Sequence, residues 1–145
     1  MASGYGQAVL DGVLDTIFGG NTTWTREGSL WLALLTTAHT SGSGGGTEVS
    51  TGVWTNYARL SLDNDGAGTV WAAADAGKWN SSAIEFAAAS ITGIAPVIKG
   101  FALMTASSGG TIRAFGPLYV DQTISNGNVF RFASGDLYLY ANNEA

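Results

Sequence analysis

The sequence has no cysteine, which excludes disulfide bonds, thiolate metal ligands and a thiol nucleophile together. His39 is the only histidine, and an acid–base pair would need a nucleophile and an orienting carboxylate that the sequence does not place beside it. The segment Asp63-Asn64-Asp65-Gly66 resembles the start of a calcium loop, but Ala74 stands at the position of the closing glutamate. We therefore expect a protein that is not an enzyme and that binds no metal or cofactor.

Charged residues are also scarce. They make up 12% of the 145 residues, about half of the ~25% that is usual in soluble domains. The net charge is −5, whereas a nucleic-acid-binding surface needs clustered basic residues. The longest apolar run, Leu30 to Leu35, is far shorter than the ~20 residues that cross a bilayer, and the N-terminus lacks the pattern of a signal peptide. We expect neither a nucleic-acid partner nor a membrane partner.

Apolar residues, by contrast, are abundant. They make up 46% of the chain, and the mean hydropathy is +0.16, which is high for a soluble protein. With no membrane segment to account for this excess, we expect neighbouring subunits to cover part of the apolar surface. The composition thus predicts a homo-oligomer or another assembly protein.

The pattern of turns and apolar residues predicts a mainly β fold. Twenty-one glycines against two prolines indicate many tight turns, and Asn126-Gly127 is the most specific hairpin dipeptide. In the segment 57–62 we expect Ala58 to point inward and Tyr57 and Arg59 to point outward. The spacing of about ten residues per strand is typical of a sandwich or jelly roll. Strands are predicted at 29–37, 57–62, 84–86, 97–105, 111–120, 128–133 and 137–141.

The segment Ser29–Thr37 is the expected centre of the fold, because its alternate residues are apolar on both faces and both faces must be covered. Residues 5–18 carry apolar side chains at helical spacing, and Gly19-Gly20 would end that helix. A helix that covers the core and a helix at a subunit interface look alike by this criterion, and we favour the first. We expect one jelly-roll-like antiparallel β-sandwich domain over residues 1–145, with a helix at about 5–18.

Aromatic residues and strand arginines are the candidate interaction residues. Tryptophan and tyrosine can anchor a core or an interface, and they can also stack on sugars; we favour core and interface. The arginines are either solvated or paired with carboxylates across a subunit boundary, and we favour pairing. The candidates for a subunit interface are Arg59, Arg113, Arg131, Trp31, Trp54, Tyr57, Tyr138 and Tyr140.

The order of several short segments resembles a known family. Leu-Trp-Leu-Ala-Leu-Leu-Thr-Thr (30–37) precedes Gly-Thr-Glu-Val-Ser (46–50) and Asn-Tyr-Ala-Arg (56–59), and Gly-Phe-Ala-Leu-Met (100–104) precedes Ser-Gly-Asp-Leu (134–137). Over nearly its full length the chain is similar to small bacteriophage virion proteins, often labelled tail-fibre-like and similar to capsid decoration (cement) proteins. The resemblance implies a jelly-roll-like, usually trimeric structural protein on the phage particle.

Three functions follow as hypotheses. The first, which we favour from the sequence, is a homotrimeric decoration protein that clamps the major capsid protein by burying apolar area and so stabilises the head shell. The second is a tail-fibre or receptor-binding module that contacts tail components and holds host glycan through aromatic side chains. The third, a hydrolase acting on the cell envelope, is disfavoured because no acid–base signature is present.

Overall fold

The computed structural model describes residues 4–6, 27–41, 44–63, 71–74 and 77–140. These residues form a mainly β structure with eleven strands and no helix, so none of them belongs to a helix that could span a membrane. The strands are β1 (Gly4–Tyr5), β2 (Ser29–Thr37), β3 (Thr47–Glu48), β4 (Leu60–Asp63), β5 (Trp71–Ala74), β6 (Gly77–Asn80), β7 (Ile84–Glu85), β8 (Val97–Met104), β9 (Ile112–Thr123), β10 (Arg131–Phe132) and β11 (Tyr138–Tyr140).

The strands form three sheets, and every pairing between them is antiparallel. The largest sheet has the order β1-β9-β8-β2-β3, with β4 also paired to β2. A second sheet contains β10 and β7, and a third has the order β11-β6-β5. Strand β2 pairs with β8 along one edge and with β4 and then β3 along the other. The predicted central strand is therefore confirmed, with the predicted bounds.

The large sheet is apolar on both faces, as the sequence predicts. On one face, Leu32 and Leu34 of β2 are in register with Leu103 and Phe101 of β8, and all are buried. On the other face, Ala33 is in register with Ala102, which pairs in turn with Phe115 of β9. These three residues belong to a second buried cluster, against which Trp31 packs. The expectation that both faces are covered is confirmed.

The smaller sheets share the first core with the large sheet. Phe101 of β8 meets Phe132 of β10 edge to face, with ring centroids 6.0 Å apart, and Phe132 meets Phe130 at 5.2 Å. The predicted alternation around β10 is confirmed, since Phe130 and Phe132 are buried and Val129 and Arg131 are exposed. The same core also contains Trp54, Ile84, Phe86 and Leu137.

The segment 57–62 departs from the sequence prediction at its start. Tyr57 is buried and Ala58 is exposed, and the side chain of Arg59 is only 8% exposed. The outward assignment of Tyr57 and Arg59 was wrong because the ladder begins only at Leu60, after a turn in which the Tyr57 N–H donates to the Trp54 carbonyl. Strict alternation applies only to residues inside the pleated ladder.

Asn126-Gly127 forms a turn but no hairpin. The Asn128 N–H donates to the Ser125 carbonyl at 3.0 Å, yet the following strand β10 pairs with β7 instead of with β9. A type I′ hairpin turn needs positive φ at both central residues, and only Gly127 has it here, at 82°. The turn therefore sends the chain from the large sheet to the second sheet.

The predicted helix at 5–18 begins inside a strand, because Tyr5 belongs to β1 and pairs with Ala114. The Gly6 N–H continues this edge by donating to the Arg113 carbonyl at 2.8 Å. The remaining part of that prediction, residues 7–18, lies outside the described residues.

Candidate functional site

Arg59 is the centre of a partly buried polar network. Its Nη2 lies 2.7 Å from Glu48 Oε2 and its Nε lies 2.9 Å from Glu48 Oε1, which is bidentate geometry. Its Nη1 donates to the carbonyls of Ala106 and Gly109, each at 2.7 Å. The hydrogen bonds to Glu48 raise the pKa of Arg59, against the opposing effect of burial. The guanidinium thus holds the turn between β8 and β9 against β3.

Tyr57 extends this network into the core. Its hydroxyl donates to Glu48 Oε1 at 2.9 Å and accepts from the Leu34 N–H at 2.9 Å. Burial raises the pKa of Tyr57 well above its usual range, although the Leu34 hydrogen bond opposes this. The ring stacks on Phe86, and Trp54 beside it is 1% exposed. Tyr57 and Trp54 are core residues of this chain and present no side-chain surface to a partner.

The other two candidate arginines also have carboxylate partners within the chain. Arg113 Nη2 pairs with Glu27, and Arg131 Nη1 lies 3.3 Å from Glu85 Oε1. The second pair is placed by strand register, because Arg131 of β10 lies directly opposite Glu85 of β7. The sequence predicts pairing for these arginines, and the structure provides it inside one chain. A contact with a second subunit stays a prediction for Arg113 and Arg131.

An aromatic platform, defined as Trp79 and Tyr138, lies on the third sheet. The two residues are directly opposite on β6 and β11, each is 40% exposed, and their ring centroids are 6.4 Å apart. Register places Tyr140 opposite Gly77, and Ala72 of β5 opposite Trp79. The sequence predicted Tyr138 and Tyr140 as candidates but missed Trp79. Only the pairing across 59 residues of chain brings Trp79 beside Tyr138, so no local signal revealed it.

The most exposed apolar side chains lie elsewhere, around the far end of the β8–β9 ladder. Tyr119 is fully exposed and Val120 is 58% exposed, while Ile94 in the segment before β8 is 90% exposed. The ladder pairs Gly100 with Pro117 and then Ile98 with Gln122. Residues 118–121 therefore stand opposite Lys99 alone, which makes a bulge of four residues against one. Tyr119 and Val120 have no register partner on β8, and both are exposed.

A cleft of about 330 Å³ is lined in part by Lys99, the residue that stands opposite this bulge. Its apolar lining comes from Val53 and from the segment 94–97, and Lys99 contributes a charged group at its wall. Its remaining polar lining is Thr36, Thr47, Glu48 and Ser50. Glu48 is already bound to Arg59 in two places, whereas Lys99 makes no ion pair with any residue that the structure describes.

His39 has a structural role in the loop that follows β2. Its Nδ1 accepts a hydrogen bond from the Gly46 N–H at 2.9 Å, and its ring meets the edge of Phe115 at 5.7 Å. The imidazole closes the glycine-rich loop, in line with its interpretation as a loop residue. In the described part of the chain, no group of three acidic, histidine or cysteine side chains is arranged to hold a metal ion.

The fold and these surfaces define a mainly β protein whose distinctive side chains are exposed apolar groups instead of reactive ones. The sequence places the chain more specifically: residues 6–140 match the model of the family described as Podophage GP4 fiber I protein gp80. The match spans most of the chain, so the protein belongs to this family and is a structural component of a bacteriophage virion. No curated protein matches the sequence significantly.

Proposed function

We propose that this protein is a non-enzymatic fibre component of the phage particle that functions by associating with other virion chains. The observation that carries the proposal is the group of exposed apolar side chains, led by Tyr119, Ile94 and Val120, on a chain with 12% charged residues. Tyr119 and Val120 are consecutive on β9, and contiguous exposed apolar area marks protein–protein contacts. The family match favours the fibre over the head shell as the location.

The physical basis of association is burial of apolar area. A standard interface buries ~1,600 Å² in total, and apolar area contributes about 25 cal/mol per Å², so the gross term reaches tens of kcal/mol. Loss of rotational and translational freedom removes much of this gain. Fully exposed side chains such as Tyr119 lose the most water-accessible area per residue on contact, so they are expected to dominate the remaining affinity.

The architecture that we propose is a jelly-roll-like sandwich in one domain, assembled as a homotrimer. The antiparallel pairing throughout and the core shared between the large sheet and the two smaller sheets support this arrangement. The pairing of β2 with β8, about 60 residues further on, is the kind of long connection that sandwich topologies use. The resemblance noted in the sequence supports the trimer.

Localisation on the intact particle tests this proposal. We expect gold-labelled antibodies against the chain to bind the tail region of the virion, and mass spectrometry of isolated tails to contain the chain. Label confined to heads would reject the fibre assignment and support the decoration role. In that case, particles that lack the protein should also lose resistance to heat or chelators.

A second candidate function is recognition of host-surface glycan by the aromatic platform. Trp79 and Tyr138 are half-exposed aromatic rings on adjacent strands, with centroids 6.4 Å apart, and a sugar ring can stack on such faces. We expect Trp79→Ala to abolish binding on a glycan array, whereas Val129→Ala, a half-exposed apolar control, should bind as the wild type does. An array without any signal for the wild-type chain would exclude this function.

A further inference from the structure

The bulge between β8 and β9 has the features of a contact knob. We define the knob as Tyr119, Val120 and Asp121, all exposed, which follow Leu118 at the base of the bulge. Leu118 packs against the main core, so the knob is anchored in the fold. A fully exposed tyrosine on an anchored bulge gains a large buried area at little cost in conformational entropy, since it has only two side-chain torsions.

The cleft beside the bulge has the features of a complementary socket. We define the socket as Val53, Ile94, Pro96 and Lys99. Its volume of about 330 Å³ is at the lower end of the range of small-ligand sites, which suits one aromatic side chain with a neighbouring aliphatic group. Ile94 is 90% exposed, so the socket presents an apolar group that the isolated chain leaves in water.

The charges of the two surfaces are opposite. Asp121 belongs to the knob and Lys99 to the socket, and both side chains are exposed. Among the residues described by the structure, neither makes an ion pair or a side-chain hydrogen bond. Arg59, Arg113 and Arg131 all have carboxylate partners, whereas exposed Lys78 of β6, like Lys99, has no ion-pair partner among the described residues. Lys99 and Asp121 are therefore available to each other across a contact between two copies.

We propose that the knob of one copy of this chain binds the socket of the next copy. Tyr119 and Val120 enter the cleft against Val53 and Pro96, and Asp121 pairs with Lys99 of the partner. In the proposed trimer each copy inserts its knob into one neighbour and receives the knob of the other neighbour, so the contact is heterologous and closes into a ring. Lys99 lines the socket and also stands opposite the bulge, so knob and socket lie side by side on each copy.

This inference rests on the proposed role in association and identifies the surfaces that mediate it. The test uses the full chain and measures the dissociation constant of the oligomer by sedimentation and light scattering. We expect the wild-type chain to be oligomeric at micromolar concentration. Tyr119→Ser should weaken association roughly thirtyfold, as expected of an interface anchor, and Lys99→Glu roughly tenfold.

Exchanging the charges of Lys99 and Asp121 is the most direct test of their proposed contact. Asp121→Lys alone should weaken association as Lys99→Glu does, and the double variant K99E/D121K should return to within about threefold of the wild type. Val129→Ser and Lys78→Glu are the controls, because both side chains are exposed outside the knob and socket, and they should leave the constant unchanged. Circular dichroism establishes that each variant is folded.

Three results would overturn the inference: a monomeric wild-type chain, full association of the Tyr119→Ser variant, or a double variant that stays as weak as the single ones. If the Tyr119→Ser substitution alters folding, the charge-exchange variants still test the contact between knob and socket, because they remove no apolar side chain. The proposed fibre location is tested separately from this contact, and it is rejected when antibody label is absent from tails. A chain found in tails that is monomeric in solution would therefore reject the knob and socket and leave the fibre assignment in place.

Discussion

Individual side chains determine how firmly the turn between β8 and β9 is held. Arg59 makes four hydrogen bonds, two to Glu48 and two to carbonyls of that turn, while its side chain is 8% exposed. A lysine retains the positive charge but loses the planar fork that reaches both partners. The residue therefore contributes through its geometry as well as its charge.

We expect Arg59→Lys to lower the free energy of unfolding by about 1–3 kcal/mol, because the partly buried carboxylate of Glu48 and the carbonyl of Ala106 lose donors. Arg131→Lys is the matched control, since that pair is 55% exposed on both sides and its loss should cost within about 0.5 kcal/mol. Denaturant unfolding measures both values. Equal effects of the two substitutions would contradict the role assigned to Arg59.

Tyr57 should make stability depend on alkaline pH. Burial raises its pKa in the folded state, so the unfolded chain ionises first, above about pH 10. The folded state then binds more protons than the unfolded state, and its stability falls as pH rises, by up to about 1.4 kcal/mol per pH unit from this group.

We expect Tyr57→Phe to remove this part of the slope, although the variant also loses two hydrogen bonds and is less stable near neutral pH. The difference between the two chains near pH 8, where the Tyr57 phenol is protonated in both the folded and the unfolded state, gives the cost of the two lost hydrogen bonds and is the control. Unfolding measured from pH 8 upward compares the variant with the wild type. A slope that is unchanged in Tyr57→Phe would contradict a buried, protonated phenol.

At the scale of elements, the close approach of β8 and β9 depends on a glycine. A methyl group at Gly100 would lie 2.7 Å from the Gly116 carbonyl oxygen, which is backbone and cannot rotate away. We expect Gly100→Ala to lower the free energy of unfolding by about 1–3 kcal/mol through this clash. Gly28→Ala should change the free energy of unfolding little, because no atom of the described residues lies within 4 Å of a methyl group placed at Gly28. Thermal unfolding of both variants tests the difference.

Strand pairing is also the scale at which sequence patterns lose their predictive power. The alternation of Phe130 and Phe132 with Val129 and Arg131 was correctly predicted, because burial of alternate residues is a local property of a strand. The pairing partner of that strand was not correctly predicted. Asn126-Gly127 indicated a hairpin, whereas β10 pairs with β7. The choice among competing edges depends on the packing of the whole chain.

At the scale of the whole molecule, the exposed apolar side chains should make the melting temperature depend on protein concentration. If copies associate in the folded state only, association stabilises that state by mass action, so the melting temperature should rise with protein concentration. We expect this rise for the wild-type chain and a smaller one, displaced to higher concentration, for Tyr119→Ser, with calorimetry over a hundredfold range of concentration as the measurement. A melting temperature independent of concentration in the wild type would contradict assembly through exposed Tyr119.

The sequence by itself determined the mainly β class, the central strand Ser29–Thr37 with two buried faces, and the excess of apolar over charged residues that indicates assembly. These properties are local or compositional, and each can be recognised without knowing which segments meet. Only the tertiary structure decided that Arg59 binds Glu48 within the chain and that Trp54 and Tyr57 belong to the core. It alone decided that Trp79 meets Tyr138 and that the bulge lies beside its cleft, because those contacts join segments far apart in the chain.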